Sequence, residues 1–203
     1  NAPAGNTVAV AELLFGSLLA LLRHLVRAHT SLMAGRWERS HLNGSELKGR
    51  TLGIVGVGRI GSEVATRALA FGMDVVGYDP YIGDERFRAL RIRRAPSLEA
   101  LLPDVDILTV HVPLTAETTG LIGRRELARL APQAIVCNLA RGGIVDEAAL
   151  GNALQAGLLR GACLDVFASE PVTGPHPFSG MSNVLLTPHI GASTAEAQRN
   201  VAV

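Results

Sequence analysis

Unbalanced charge is the first thing this chain lacks. Nineteen Lys and Arg against 18 Asp and Glu leave a net charge of +1 over 203 residues, so there is no basic field of the kind a nucleic-acid surface needs. The arginines between 86 and 94 follow Asp84 and Glu85 and read as a solvated helix and strand edge. Cysteine is limited to Cys137 and Cys163, each inside an apolar strand pattern. That excludes a disulfide scaffold and fits a reducing, cytoplasmic compartment. The longest apolar run, 13–22, is interrupted by Gly16 and Ser17 and bounded by Glu12 and Arg23. It is shorter than the roughly 20 residues a membrane span requires, and no basic stretch precedes it to make a signal peptide. His24, His29, His41 and His176 form no pair at metal-ligand spacing, and no serine sits in a nucleophile elbow. Internal repeats and low-complexity tracts are missing too.

Glycine, by contrast, is plentiful, and three glycines stand in an informative place. Residues 51–79 read TLGIVGVGRIGSEVATRALAFGMDVVGYD: an apolar strand, the turn Gly56-Val-Gly58-Arg59-Ile60-Gly61, a helical pattern, and a second strand that ends at Tyr78, Asp79 and Pro80. Each part has a task in holding a dinucleotide. Gly56 permits the tight turn, Gly58 lets the backbone approach a pyrophosphate, and Gly61 lets the helix pack close to the strand. The helix start offers free N–H groups and a positive dipole end to phosphates. Asp79, 18 positions beyond Gly61, is placed to accept hydrogen bonds from ribose hydroxyls. Its charge disfavours the extra phosphate of NADP, so the cofactor expected is NAD.

Upstream, the pattern predicts a helix from a cap at Asn6 or Thr7 to about residue 33, with apolar positions nearly all round it, so it is buried on more than one side. The second surface is either the chain's own core or a partner copy. A polar connector, 35–48, carries Trp37, the only tryptophan. Further strands are predicted at 92–94, 106–110, 134–139, 161–166 and 184–187, with helices capped by Ser97 and Asp146 between them. Seven short strands alternating with helices specify an α/β fold: a doubly wound parallel sheet of Rossmann type with helices on both faces. The whole of 1–203 reads as one domain with its core at about 50–190.

In such a sheet the ligand lies at the carboxyl ends of the strands. The strand at 106–110 delivers His111, Val112 and Pro113. The strand at 134–139 ends on Leu139 and delivers Ala140 and Arg141, and the next delivers Asp165 and then Glu170. The last delivers His189, Gly191 and Ala192. An arginine, a carboxylate and a histidine thus converge where NAD should lie. Arginine binds a substrate carboxylate bidentately and polarises the adjacent carbonyl. Histidine exchanges the hydroxyl proton, and a paired carboxylate fixes its orientation. His111 competes for the acid/base role, but its place beside Pro113 suits a wall near the nicotinamide ribose.

GVGRIG with YDP, NLARGGIVDEAAL, GACLDVFASEP and TPHIGAST together resemble the D-isomer-specific 2-hydroxyacid dehydrogenases, most of all the branch acting on 3-phosphoglycerate in serine synthesis. The resemblance implies that Arg141 binds substrate and that His189 is the general acid/base with Glu170 as its partner. It further implies that Arg59, Ile60, Asp79, residues 139–141, Asp165 and residues 189–192 line the NAD site, and that the first helix builds a homodimer. Hydroxypyruvate or glyoxylate reduction is the nearest alternative, and an NADH-sensing corepressor is a different class of function. Family members carry a separate substrate domain, mostly before the point corresponding to Asn1. The expectation is therefore an excised domain that binds NAD and turns over slowly or not at all.

Overall fold

The computed structural model describes residues 5–201. In chain order the elements are α1 (Thr7–Leu22), α2 (Leu25–Met33), β1 (Thr51–Val55), α3 (Arg59–Ala70), β2 (Asp74–Tyr78), α4 (Asp84–Leu90), β3 (Arg93–Arg94), α5 (Leu98–Leu101), β4 (Ile107–Val110), α6 (Arg124–Leu127), β5 (Ile135–Asn138), α7 (Glu147–Gln155), β6 (Gly161–Leu164), β7 (Val184–Leu186) and α8 (Ala195–Val201). All seven strands pair in parallel in the order β3-β2-β1-β4-β5-β6-β7. The order reverses between β1 and β4, and the crevice for a ligand opens there.

The central strands are short, apolar and buried along their whole length, as expected when both faces of a sheet are covered. On one face Leu101, Leu150 and Leu154 pack over Leu108, Val136 and Leu164. On the other Leu14, Leu18 and Val64 pack over Ile54, Ile107, Cys137 and Cys163. The two cysteines oppose each other in register on β5 and β6. Burial, and then Cys163 beside it, push the Cys137 thiol well above its ordinary range, so it sits there as a small apolar residue.

The predicted helix over about 7–33 is two helices bent by 62°. No glycine or proline causes the break. The amide of Ser45 takes the carbonyl of Leu22 at 3.0 Å, the partner that the amide of Val26 would need, and His24 turns left-handed at φ 54°. The imidazole Nε2 of His24 then meets the Asn43 carbonyl at 3.2 Å. The predicted cap is also not formed, since Asn6 takes the N-cap position without a side-chain hydrogen bond. The caps at Ser97 and Asp146 do form, accepting from Ala100 at 3.2 Å and Ala149 at 2.9 Å. Helix α1 is a core helix of this chain, whereas α2 leaves Leu25, Val26, Leu32 and Met33 exposed. No single helix among the described residues is long and apolar enough to cross a membrane.

Candidate active site

β1 ends in the glycine turn, and its geometry explains each glycine. Gly56 has φ +92°, and a Cβ there would stand 2.7 Å from the His111 carbonyl oxygen. A Cβ on Gly61 would stand 2.1 Å from the carbonyl oxygen of Gly56, so α3 can start this close to β1 only without one. Around Gly58 nothing lies within 4 Å of the Cβ position. That side of the backbone is open, as a cradle for a pyrophosphate must be. Arg59 and Ile60 form the first turn of α3, with Arg59 exposed. A cavity of about 470 Å³ beside the turn is lined by Val57, Gly58, Arg59, Tyr81, Ile82 and Arg86 among others.

Asp79 bonds to two residues of that cavity's lining, Val57 and Tyr81. It is buried, with Oδ2 accepting from the Val57 amide at 2.9 Å and Oδ1 from the Tyr81 amide at 2.9 Å. The carboxylate ties the end of β2 to the glycine turn and keeps two further acceptor positions for ribose hydroxyls. Tyr78 is half-buried and Pro80 exposed on either side of it.

Across the crevice β4 delivers His111. Its Nε2 meets the Thr109 hydroxyl at 3.0 Å, and its Nδ1 is buried with no partner among the described residues. Burial lowers the imidazole pKa to about 4, so near neutral pH the ring is uncharged and a weaker base than an ordinary imidazole, which disfavours it as a competing acid/base. Val112 is half-buried and Pro113 exposed beside it.

β5 ends on Asn138, which is buried and shapes the next loop from within. Its Oδ1 accepts from the Ala140 amide at 3.1 Å and its Nδ2 donates to the Arg141 carbonyl at 2.9 Å. Leu139 and Ala140 are buried, and Arg141 emerges exposed, with Nη1 donating to the Ala140 carbonyl at 2.6 Å. In the sequence, the one signal of Asn138 is a lone amide closing an apolar strand.

The last two strand ends carry the titratable pair. Nδ1 of His189 meets Oε2 of Glu170 at 2.6 Å. The carboxylate accepts, so the hydrogen lies on Nδ1 and Nε2 is left for a substrate. Oε1 of Glu170 accepts from the Phe167 amide at 2.9 Å. The hydrogen bond from His189 holds the Glu170 carboxyl below its usual range. His189 itself is left-handed at φ 54°, held there by Asp165. That carboxylate, 1% exposed, accepts from the Thr187 hydroxyl at 2.6 Å, the Ile190 amide at 2.8 Å and the Gly191 amide at 2.7 Å. The three bonds to Asp165, a residue expected to line the NAD site, also build the His189 loop. Gly191 is buried and Ala192 exposed. Glu170 and His189 line a cavity of about 640 Å³ walled by Phe167, Pro171, Val172 and Leu186.

Residues 15–191 match the NAD-binding domain of the D-isomer specific 2-hydroxyacid dehydrogenases. The chain belongs to that family. It is 48% identical, over its whole length, to the D-3-phosphoglycerate dehydrogenase of Bacillus subtilis, and 46% identical, over 98% of its length, to that of Methanocaldococcus jannaschii. It spans 38% of the length of each. Among solved structures, the D-lactate dehydrogenase of Aquifex aeolicus complexed with NAD and lactic acid superposes with a TM-score of 0.89 at 32% identity. That match covers 98% of this chain and 64% of the other. The domain's cofactor is NAD, and the open cradle at Gly58 with Asp79 behind it fits that cofactor.

Proposed function

We propose that this domain serves an NAD-dependent D-2-hydroxyacid dehydrogenase whose substrate is 3-phosphoglycerate, oxidised at its 2-hydroxyl in serine synthesis. The contact between His189 and Glu170 carries the reading, and the names of the relatives at 46–48% identity support the substrate. NAD supplies the hydride acceptor. Residues 56–61, with Asp79, hold the cofactor; Tyr78, Pro80, residues 111–113, residues 139–140, Asp165, Gly191 and Ala192 border it. Arg141 binds the substrate carboxylate with its guanidinium fork and draws electron density from the reacting carbon. His189 takes the hydroxyl proton at Nε2 as the C–H bond breaks, and Glu170 stabilises the imidazolium that results.

The protein works as a homodimer in this reading, in the cytoplasm, where Cys137 and Cys163 stay reduced. The dimer face centres on α2 and the connector, because Leu25, Val26, Leu32, Met33 and Trp37 are exposed there together.

His189→Ala tests the chemistry. NAD affinity of the domain, measured by titration, is expected to stay nearly intact, while oxidation of 3-phosphoglycerate, assayed in the longer enzyme to which this reading assigns the domain, falls about 10²–10⁴-fold. Equal loss of both would make His189 a structural residue and end this reading.

A further inference from the structure

The ends of β2 and β4 flank the end of β1, so a bond between the segments that follow them passes over the glycine turn. One such bond exists: the hydroxyl of Tyr81 donates to Oε2 of Glu117 at 2.9 Å. Both ends are rooted. The Tyr81 amide is held by Oδ1 of Asp79. Glu117 sits between Thr115 and Thr118, whose loop is fastened by its own hydroxyls: the Thr115 amide donates to Oγ1 of Thr118 at 2.8 Å, and that hydroxyl donates to the Pro113 carbonyl at 2.5 Å. The Tyr81 side chain is otherwise unsupported, since the residue is 82% exposed. Its contact with Glu117 therefore decides where the ring lies. Two strand spacings of about 4.8 Å each leave a gap of about 10 Å, which a tyrosine and a glutamate reaching toward each other can cross.

We propose that Tyr81 and Glu117 form a strap across the adenosine end of the NAD crevice and set how long the cofactor stays. The cavity between the glycine turn and the segment that follows Asp79 is the adenosine end in this reading, and Tyr81 lines it. With the strap closed, the ring forms the outer wall of that cavity and presents a flat apolar face to the base. Leaving the site requires the ring to swing away, and the hydrogen bond to Glu117 opposes that swing. The bond is exposed and made to a charged acceptor, so its contribution is modest. Neither residue takes part in the hydride or proton transfer.

The test is the dissociation rate of NADH from the purified chain, followed by loss of nucleotide fluorescence in a stopped-flow chase. Tyr81→Phe keeps the ring and removes only the hydroxyl; Glu117→Ala removes the acceptor. Each is expected to speed release about 3-fold, and the double variant to speed it no more than either single one, because both remove the same bond. Unchanged release in the single variants would overturn the proposal, and so would multiplied effects in the double variant. Both positions are exposed, so melting temperatures close to that of the parent chain confirm that the comparison is between folded proteins.

Discussion

Asp165 and Gly191 are 26 residues apart in the chain, and the Gly191 amide donates to Oδ2 of Asp165 at 2.7 Å. With the bonds from Thr187 and Ile190, this fastens the chain on both sides of His189 to the end of β6. Asp165→Ala should leave buried donors without a partner, costing about 3 kcal/mol in a denaturant titration. Turnover should fall at least as far as NAD binding, because the imidazole loses its orientation. A variant as stable as the parent would show that solvent replaces the carboxylate at no cost.

Glu170 is held below the usual carboxylate range by His189. A depressed folded value contributes stability above the unfolded value, near 4.3, and that contribution is lost as pH falls through the folded value. The parent chain should therefore melt higher than Glu170→Gln at about pH 5, and the difference should shrink on further acidification. An advantage that grows as pH falls has the wrong sign for this pair. In the catalytic assay the same variant should lose roughly 10²-fold, since the imidazolium is no longer stabilised.

His111 carries a linkage of the same sign at higher pH. Its folded value is about 4 against about 6.5 for a free imidazole. Between those values the unfolded chain binds a proton that the folded one refuses, so stability should rise with pH across that window. In His111→Gln the slope should flatten there. An NMR titration of the imidazole should show no protonation above about pH 5; a midpoint near 6.5 would mean that the ring is solvated.

The exposed apolar residues of α2 make the assembly testable. Leu32 and Met33 are 58% and 76% exposed and contribute little to the fold of one chain. The parent chain is expected to sediment as a dimer, and changing both residues to glutamate should yield a folded monomer. Dimers that persist in the variant would place the interface elsewhere.

The sheet was legible because its central strands are short apolar runs ending in a polar or glycine-rich stretch, and parallel strands buried on both faces show no alternation to misread. The glycine turn was legible for a similar reason: Gly56 is required by its own φ of +92°, and Gly61 by the Gly56 carbonyl five residues before it. What the sequence hides is long-range. Nothing between residues 7 and 33 announces a break, because the carbonyl of Leu22 is taken by Ser45, which lies outside that stretch. Asp165 looks like any carboxylate at a strand end until Thr187, Ile190 and Gly191 arrive to bond it. The meeting of Tyr81 and Glu117, 36 residues apart, depends on the strand order and cannot be read from either segment alone.

Gly58 has φ −69°, outside the left-handed region, and no atom waits where its side chain would be. A methyl group at that one position meets nothing in the protein and everything in a pyrophosphate. Gly58→Ala is therefore expected to separate folding from loading: the chain should adopt its shape, pair with unaltered copies in the proposed dimer and stay empty. Mixed assemblies with one loaded and one silent subunit would then reveal whether the two halves of a dimer turn over independently or only in concert.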